Sequence, residues 1–185
     1  MKNLLIIKAH QVYPIAKGEL NSLMADDIEK FFKLHDFNIK RTNVSDGYDI
    51  KHEQAKFLWA DIIVFQFPVF WFNAPAILHQ YIQDVYEYGV FYTSSKEYGQ
   101  GGLLKGKQYM FSTTWGISLQ TFRKGLWEDC HLPDDVLFPL HKIQEYVGLS
   151  ALPTFSCLNV IQSTSPEKYR KDLQEHLKEI MLQPA

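Results

Sequence analysis

Short runs of consecutive apolar residues alternate along this chain with longer stretches in which apolar residues recur every three or four positions. Leu4 to Ile7 and Ile62 to Phe65 are too short for helices of their own and read as strands covered on both faces, as in a parallel sheet. Phe37 to Thr42 alternate as a second strand, and Gln108 to Thr113 and Leu152 to Val160 supply a fourth and a fifth. Between them, Leu20, Met24, Ile28 and Phe31 predict a helix opened by Gly18 and running to about His35. Ile50 to Trp59 form a short helix. Ala76 to Glu87 form another, with Ile77, Tyr81, Ile82 and Val85 on one face. Phe138 to Val147 give a helix stopped at Gly148. Ser165-Pro166 opens the last one, striped by Tyr169, Leu173, Leu177 and Ile180. Asp46-Gly47 is a turn signal, and Asp61 marks a helix-to-strand corner. Strands alternating with helices predict an α/β domain over residues 1–185, a three-layer sandwich around a five-stranded parallel sheet of order 2-1-3-4-5. No repeat, low-complexity stretch or linker interrupts it.

The stretch from Ala60 to Pro75, A-D-I-I-V-F-Q-F-P-V-F-W-F-N-A-P, departs from this plain alternation. Pro68 has no N–H to give and is expected to end ladder pairing. Three aromatics, Phe70, Trp71 and Phe72, then stand where a loop is normally polar, and Asn73-Ala74-Pro75 opens the next helix. In open α/β sheets, ligands bind in the loops leaving the carboxyl ends of the strands. An aromatic loop there points to a flat conjugated ligand, or else to rings filling a gap between helices or at a subunit contact. The exit of the fourth strand, Thr113-Thr114-Trp115-Gly116-Ile117, repeats the theme, and Gly116 permits close backbone approach. Two aromatic loops on neighbouring strand ends favour a pocket. The first strand, loop and helix also form a natural phosphate seat, because a helix start presents free backbone N–H groups. His10 stands close enough to face phosphates, although a lone histidine after a strand is more often structural.

The segment F-Q-F-P-V-F-W-F-N-A-P-A-I-L resembles the flavin-contacting segment of the NAD(P)H:quinone oxidoreductase (DT-diaphorase) superfamily. Its bacterial modulator of drug activity B branch is the nearest likeness. Y-G-Q-G-G-L-L-K-G-K-Q-Y-M, T-T-W-G and L-H-K-I-Q-E-Y-V-G-L-S-A-L-P-T-F extend the resemblance over nearly the whole chain, in the same order. The resemblance implies a flavodoxin-like fold that binds FAD. It implies that Ala16, Lys17, Gly18, Glu19, Leu20, Asn21 and Leu23 grip the diphosphate. Where this chain has Ala16 the family often has a serine, a lost hydroxyl for which Lys17 would substitute a point charge. The implied flavin contacts continue through Pro68, Val69, Phe70, Trp71 and Phe72, Tyr98, and Thr114, Trp115, Gly116 and Ile117. Also implied are hydride transfer from NAD(P)H and onward two-electron reduction of a quinone by a ping-pong mechanism, and a homodimer packed through the helix after the third strand. FMN with nitro or azo acceptors is one alternative; a flavin-binding regulatory subunit of a potassium efflux transporter is another.

Composition narrows the field further. The chain has 185 residues, 46% of them hydrophobic and 15% aromatic, and a formal charge of −2. That is enough apolar material for one core. It makes no electrostatic case for nucleic acid or an anionic membrane. Only Cys130 and Cys157 are present, without a C-x-x-C, which fits free thiols in a reducing cytoplasm. The opening M-K-N-L-L-I-I-K is too short in its apolar run for a signal peptide or a membrane span. Gly101-Gly102-Leu103-Leu104-Lys105-Gly106-Lys107 imitates a P-loop, but Gln108 stands where Ser or Thr should hold magnesium, and the stretch precedes its strand. Gly99-x-Gly101-x-x-Leu104 fails as a dinucleotide fingerprint at its last glycine. The seven histidines show no metal spacing, and no G-x-S-x-G elbow is present. The chemistry is therefore expected of a bound cofactor. Residues 118–135, with Trp127, His131 and Pro133, read as a lid or a crossing to a partner subunit. His131 is the one candidate there for a protein proton donor.

Overall fold

The computed structural model of the chain describes residues 1–14, 16–122, 124–162 and 165–182. Its strands are β1 (Asn3–Lys8), β2 (Asn38–Asn43), β3 (Ile62–Pro68), β4 (Gln108–Thr114), β5 (Ser150–Ala151) and β6 (Phe155–Cys157). The helices are α1 (Glu19–Leu34), α2 (Ile50–Trp59), α3 (Ala76–Val85), α4 (Pro133–Val136), α5 (Phe138–Tyr146) and α6 (Pro166–Leu182). All strand pairs are parallel, in the order β2-β1-β3-β4-β5, with β6 also on β4. The predicted order therefore holds. The fifth position, though, is filled by two short strands rather than one running from Leu152 to Val160. Leu152 still donates its N–H to Tyr109, and pairing with β4 resumes at Phe155, opposite Ser112, with Pro153 and Thr154 between the two short strands.

Pro68 behaves otherwise than expected. It lies within β3, opposite Thr114, and the ladder on that side continues when Val69 N–H donates to the Thr114 carbonyl. Pairing of β3 with β1 stops at Gln66, which accepts from Ala9. In a parallel strand, successive N–H groups point to opposite neighbours. The missing N–H of Pro68 therefore belongs to the side where β1 has already ended.

The two faces of the sheet bury separate apolar layers. Leu4, Ile6, Ile62 and Val64 pack under α1 and α6 with Met24, Ile28, Leu173 and Leu177. Leu5, Ile7, Phe65, Phe67 and Phe111 pack under α2, α3 and α5 with Phe57, Tyr81 and Leu140. All seven residues of β3 are buried, the expected state of a central parallel strand. On the second face, buried Glu53 is satisfied by the Tyr81 and Thr42 hydroxyls at 2.6 and 2.7 Å and by Lys56 Nζ at 2.6 Å, which ties α3 and β2 to α2. On the first face, Arg170 clasps Asp27 through Nε and Nη2, at 2.7 and 3.1 Å, and ties α6 to α1. Among the described residues no helix is long and apolar enough to cross a membrane.

The glycine-rich connection before β4 has a packing role. A Cβ on Gly102 would lie 2.4 Å from the Gly148 nitrogen and 2.5 Å from the Val147 carbonyl carbon, where the connection crosses the end of α5. Backbone cannot yield as a flexible side chain can. Gly102→Ala is expected to destabilise the protein by about 2 kcal/mol or more. At Gly99, with open space around it and φ +84°, the same change costs about 1 kcal/mol. Urea unfolding of the two variants side by side measures the difference.

Candidate functional site

At the carboxyl ends of β1, β3 and β4 a cavity of about 720 Å³ is bounded by Ala16 to Asn21, by Pro68 to Phe70, and by Thr114 and Gly116, with His10, Val160 and Ile161 completing the wall. Three chain segments far apart in sequence meet here because each leaves an inner strand at the same edge of the sheet. Gln66 Nε2 donates to Asn21 Oδ1 at 2.8 Å, and Asn21 Nδ2 donates to Thr114 Oγ1 at 3.0 Å, all three residues buried. This polar chain fastens the start of α1 to β3 and β4. Gly18 caps α1 in the left-handed region at φ 77°, without a capping side chain, so the first-turn N–H groups remain open to an anion.

His10 is part of this seat. It is 5% exposed, and its ring lies so close to Gly18 that a Cβ there would sit 2.1 Å from Cδ2 and Nε2. Nδ1 is buried and has no partner among the described residues. Burial, with Lys8 and then Arg41 nearby, lowers its pKa below the ordinary imidazole value. A buried, unpaired ring nitrogen is costly, and an acceptor oxygen arriving in the cavity would satisfy it once protonated. The sequence suggested a structural histidine; its place in the cavity wall depends on the contact with Gly18, which spacing does not reveal.

The aromatic loop is a tight reverse turn. Phe70 and Asn73 exchange both backbone hydrogen bonds, at 3.0 and 3.1 Å, and the residues between them, Trp71 and Phe72, have φ of 49° and 63°. Such mirror-image turns normally carry Asn and Gly. Positive φ on bulky residues costs on the order of 1–2 kcal/mol each. Asn73 Oδ1 holds the turn from behind, accepting from Ala74 N–H at 2.8 Å and pairing with His79 Nε2 at 3.1 Å. Phe70 meets Tyr13 edge-on, with ring centroids 5.6 Å apart. Phe72 meets Trp127 at 4.5 Å. Trp71 projects outward, 92% exposed, beside a second, largely apolar cavity of about 870 Å³ on the α3 side of the turn.

The predicted site residues divide. Ala16, Lys17, Gly18, Glu19, Leu20, Asn21, Pro68, Val69, Phe70, Thr114 and Gly116 converge on one cavity. Trp71 lines the adjoining cavity on the α3 side, and Phe72 lies against Trp127. Leu23 instead packs on the apolar layer beneath α1, and Ile117 packs on the opposite layer. Trp115 is the main correction. It is 2% exposed, its indole N–H donates to Thr113 Oγ1 at 2.8 Å, and its backbone N–H goes to Cys157. Its ring turns inward against Phe122 and gives no stacking face. Tyr98 lies elsewhere, 92% exposed and leaning on Tyr146 beside the groove between α3 and α5. His131 is exposed at the start of α4, its N–H bonded to Asp135, and lines no part of the cavity. Of the backbone donors expected for a polar ring edge, those of Val69, Phe70 and Trp115 are already engaged. Trp71, Phe72, Gly116 and Ile117 retain theirs among the described residues. Those residues also contain no cluster able to hold a metal.

An anion seat at a helix start, open amides on two strand exits and an aromatic rim fit a flavin nucleotide: phosphate at Gly18, ring between the two exits. A parallel sheet of this order with its ligand edge at the carboxyl ends defines the flavodoxin-like class. The chain belongs to the family described as Flavodoxin-like fold, whose model matches residues 2–181. It is 33% identical to the NADPH:quinone oxidoreductase MdaB of Haemophilus influenzae, over 96% of this chain and 98% of that protein. It is also 33% identical to the glutathione-regulated potassium-efflux system ancillary protein KefF of an Enterobacter species, over 83% of this chain and 81% of that one. Among solved structures, the general stress protein 14 of Treponema denticola in complex with FMN shares the fold with a TM-score of 0.73. That match has 20% identity and covers 98% of each chain.

Trp71 offers a direct test, because little else depends on it. Trp71→Ala is expected to change unfolding free energy by no more than about 0.5 kcal/mol, as for an exposed residue. Flavin affinity should fall about tenfold through loss of ring contact. Titrating the apoprotein with flavin by fluorescence quenching measures this; unchanged affinity would remove Trp71 from the site.

Proposed function

We propose that the protein is an FAD-dependent NAD(P)H:quinone oxidoreductase working by a ping-pong mechanism, with residues 1–185 as one domain. The observation that carries this reading is the convergence of the α1 anion seat and the two strand exits on one cavity, adjoined by the largely apolar cavity that Trp71 lines. Kinship with MdaB supplies the reaction class. Bound there, the flavin supplies hydride acceptance from NAD(P)H and two-electron delivery to a quinone. The chain's own part is to bind, orient and polarise. The amides of Glu19 to Asn21, with Lys17 and His10, hold phosphate. Val69 and Phe70 back the ring. The open N–H groups of Trp71, Phe72, Gly116 and Ile117 are suited to its polar edge, where they would favour developing negative charge. NAD(P)H and quinone then use the same exposed face in turn. No protein side chain is assigned as proton donor, since His131 lies outside the cavity; water reaches the exposed rim.

FAD rather than FMN rests on the likeness of the Ala16 to Asn21 segment to FAD-gripping chains, against which stands the FMN held by the Treponema protein. A homodimer is part of the proposal, supported by the exposed rings of Trp71 and Tyr98. A cytoplasmic location fits the two unpaired cysteines. The KefF relative favours one second reading, a flavin-binding ancillary subunit of a potassium efflux system.

NADPH oxidation by purified protein with a simple naphthoquinone, with FAD, FMN or neither added, decides among these. Turnover restored by FAD alone is expected. Restoration by FMN alone would keep the reaction and overturn the diphosphate assignment. Bound flavin without turnover would transfer the reading to the ancillary subunit.

His10 adds a pH signature. Its pKa is depressed in the free protein, and a neighbouring phosphate would raise it. Between the two values the complex holds one more proton than its parts, so flavin affinity should strengthen as pH falls through that window and level off on either side. The slope is expected in the window that opens at the depressed His10 value and closes at its raised value in the complex, and it should vanish in His10→Gln. A slope that persists in that variant would assign the proton to another group.

A further inference from the structure

Between the exit of β4 and α4, residues 118–131 form a roof with little structure of their own. Among the described residues there, two single-turn 3₁₀ segments, Leu119–Thr121 and Gly125–Trp127, are the only regular elements. Among the described residues its inward anchors are Phe122, Trp127 and Cys130, which packs on the core layer. Buried Phe122 lies against Trp115, and Trp127 lies on Phe72 of the strained turn. Such a segment takes its position from how its ends are tied, and the downstream end leads into α4.

A three-residue hydrogen-bond chain begins in α4. Asp134 Oδ1 lies 3.2 Å from His141 Nε2, on α5, and His141 Nδ1 lies 2.6 Å from the Tyr109 hydroxyl, on β4. Tyr109 is fully buried, and burial raises its pKa far above the phenol range, so the phenol stays protonated and donates. Nδ1 must then be the accepting nitrogen, which leaves Nε2 to carry the hydrogen and donate to the Asp134 carboxylate. The imidazole sits 4.5 Å from Phe111, packed into the same layer. Burial alone would raise the Asp134 carboxyl, yet the hydrogen bond from His141 holds it below the usual carboxylate value. Both ring nitrogens of His141 are matched, and the chain runs from the sheet to the helix that follows the roof.

We propose that Tyr109, His141 and Asp134 are positioning residues that pin α4 to the sheet. They thereby fix the roof whose Trp127 braces the Phe70 to Asn73 turn. The three touch neither cavity, so they act on ligand affinity only through the roof. This rests on the flavin-site reading for its functional consequence, while its structural core does not.

Hydrogen–deuterium exchange over peptides covering residues 118–131, with and without FAD, is the primary test. Tyr109→Phe and Asp134→Ala are expected to speed exchange there about tenfold. The expected flavin affinity falls by a similar factor, while kcat of the flavin-saturated enzyme stays within about twofold. Asp134→Asn keeps an acceptor oxygen for Nε2 and should restore protection. Exchange in the roof unchanged, with only global stability lowered, would overturn the proposal and leave the chain as core stabilisation. So would failure of Asp134→Asn to differ from Asp134→Ala. Should the protein bind no flavin, the exchange result still decides the positioning claim while the flavin-site reading falls.

Discussion

The buried hydrogen-bond chain from Gln66 through Asn21 to Thr114 is the constraint on which the candidate site depends. Parallel strands fix one another in register along their length, but nothing in a ladder says where a helix on the sheet's face should begin. Asn21 does so here. Its amide uses one end for β3 and the other for β4, inside an environment of low dielectric where an unmatched amide is expensive. A displacement of α1 by one residue would break both bonds and carry the open N–H groups of the helix start away from the strand exits. The open end of α1 and the two strand exits are therefore held in register by one side chain.

Much of the architecture could be read from the order of residues because apolar runs and helical periodicity are local signals. Five strand positions, the order 2-1-3-4-5 and most helix limits follow from them. The aromatic run after β3 and the glycine at the head of α1 also announced themselves locally. What failed were judgements that depend on a neighbour distant in sequence. Pro68 and Pro153 are the same residue type in a similar setting. Neither removes a bond to β4, because what matters is which side each nitrogen faces, and the N–H groups of Val69 and Leu152 beside them are the ones that point to β4. Trp115 follows a strand just as Phe70 does, yet its amide is taken by Cys157 and its ring is drawn inward. Tyr109 and His141 are separated by 32 positions; no spacing rule would join them.

Stability is unevenly distributed around the cavity. The inner strands β1, β3 and β4 are buried almost throughout, and α1 is fastened to them by the Asn21 amide. The rim, by contrast, consists of a turn with two residues in an unfavourable backbone region and the roof of residues 118–131. Rigid floor and strained rim suit the flavin site proposed above. The floor preserves alignment, while the rim can yield by small amounts without loosening the sheet.

In the turn at Phe70 to Asn73, Trp71 contributes almost no burial, sits at positive φ, and occupies a position where asparagine or glycine would fold more readily. Glycine or asparagine there would relieve the backbone cost, whereas a β-branched residue would add to it. Folding free energy alone therefore gives tryptophan no advantage at this position. The side chain at this turn answers to the surface rather than to the core.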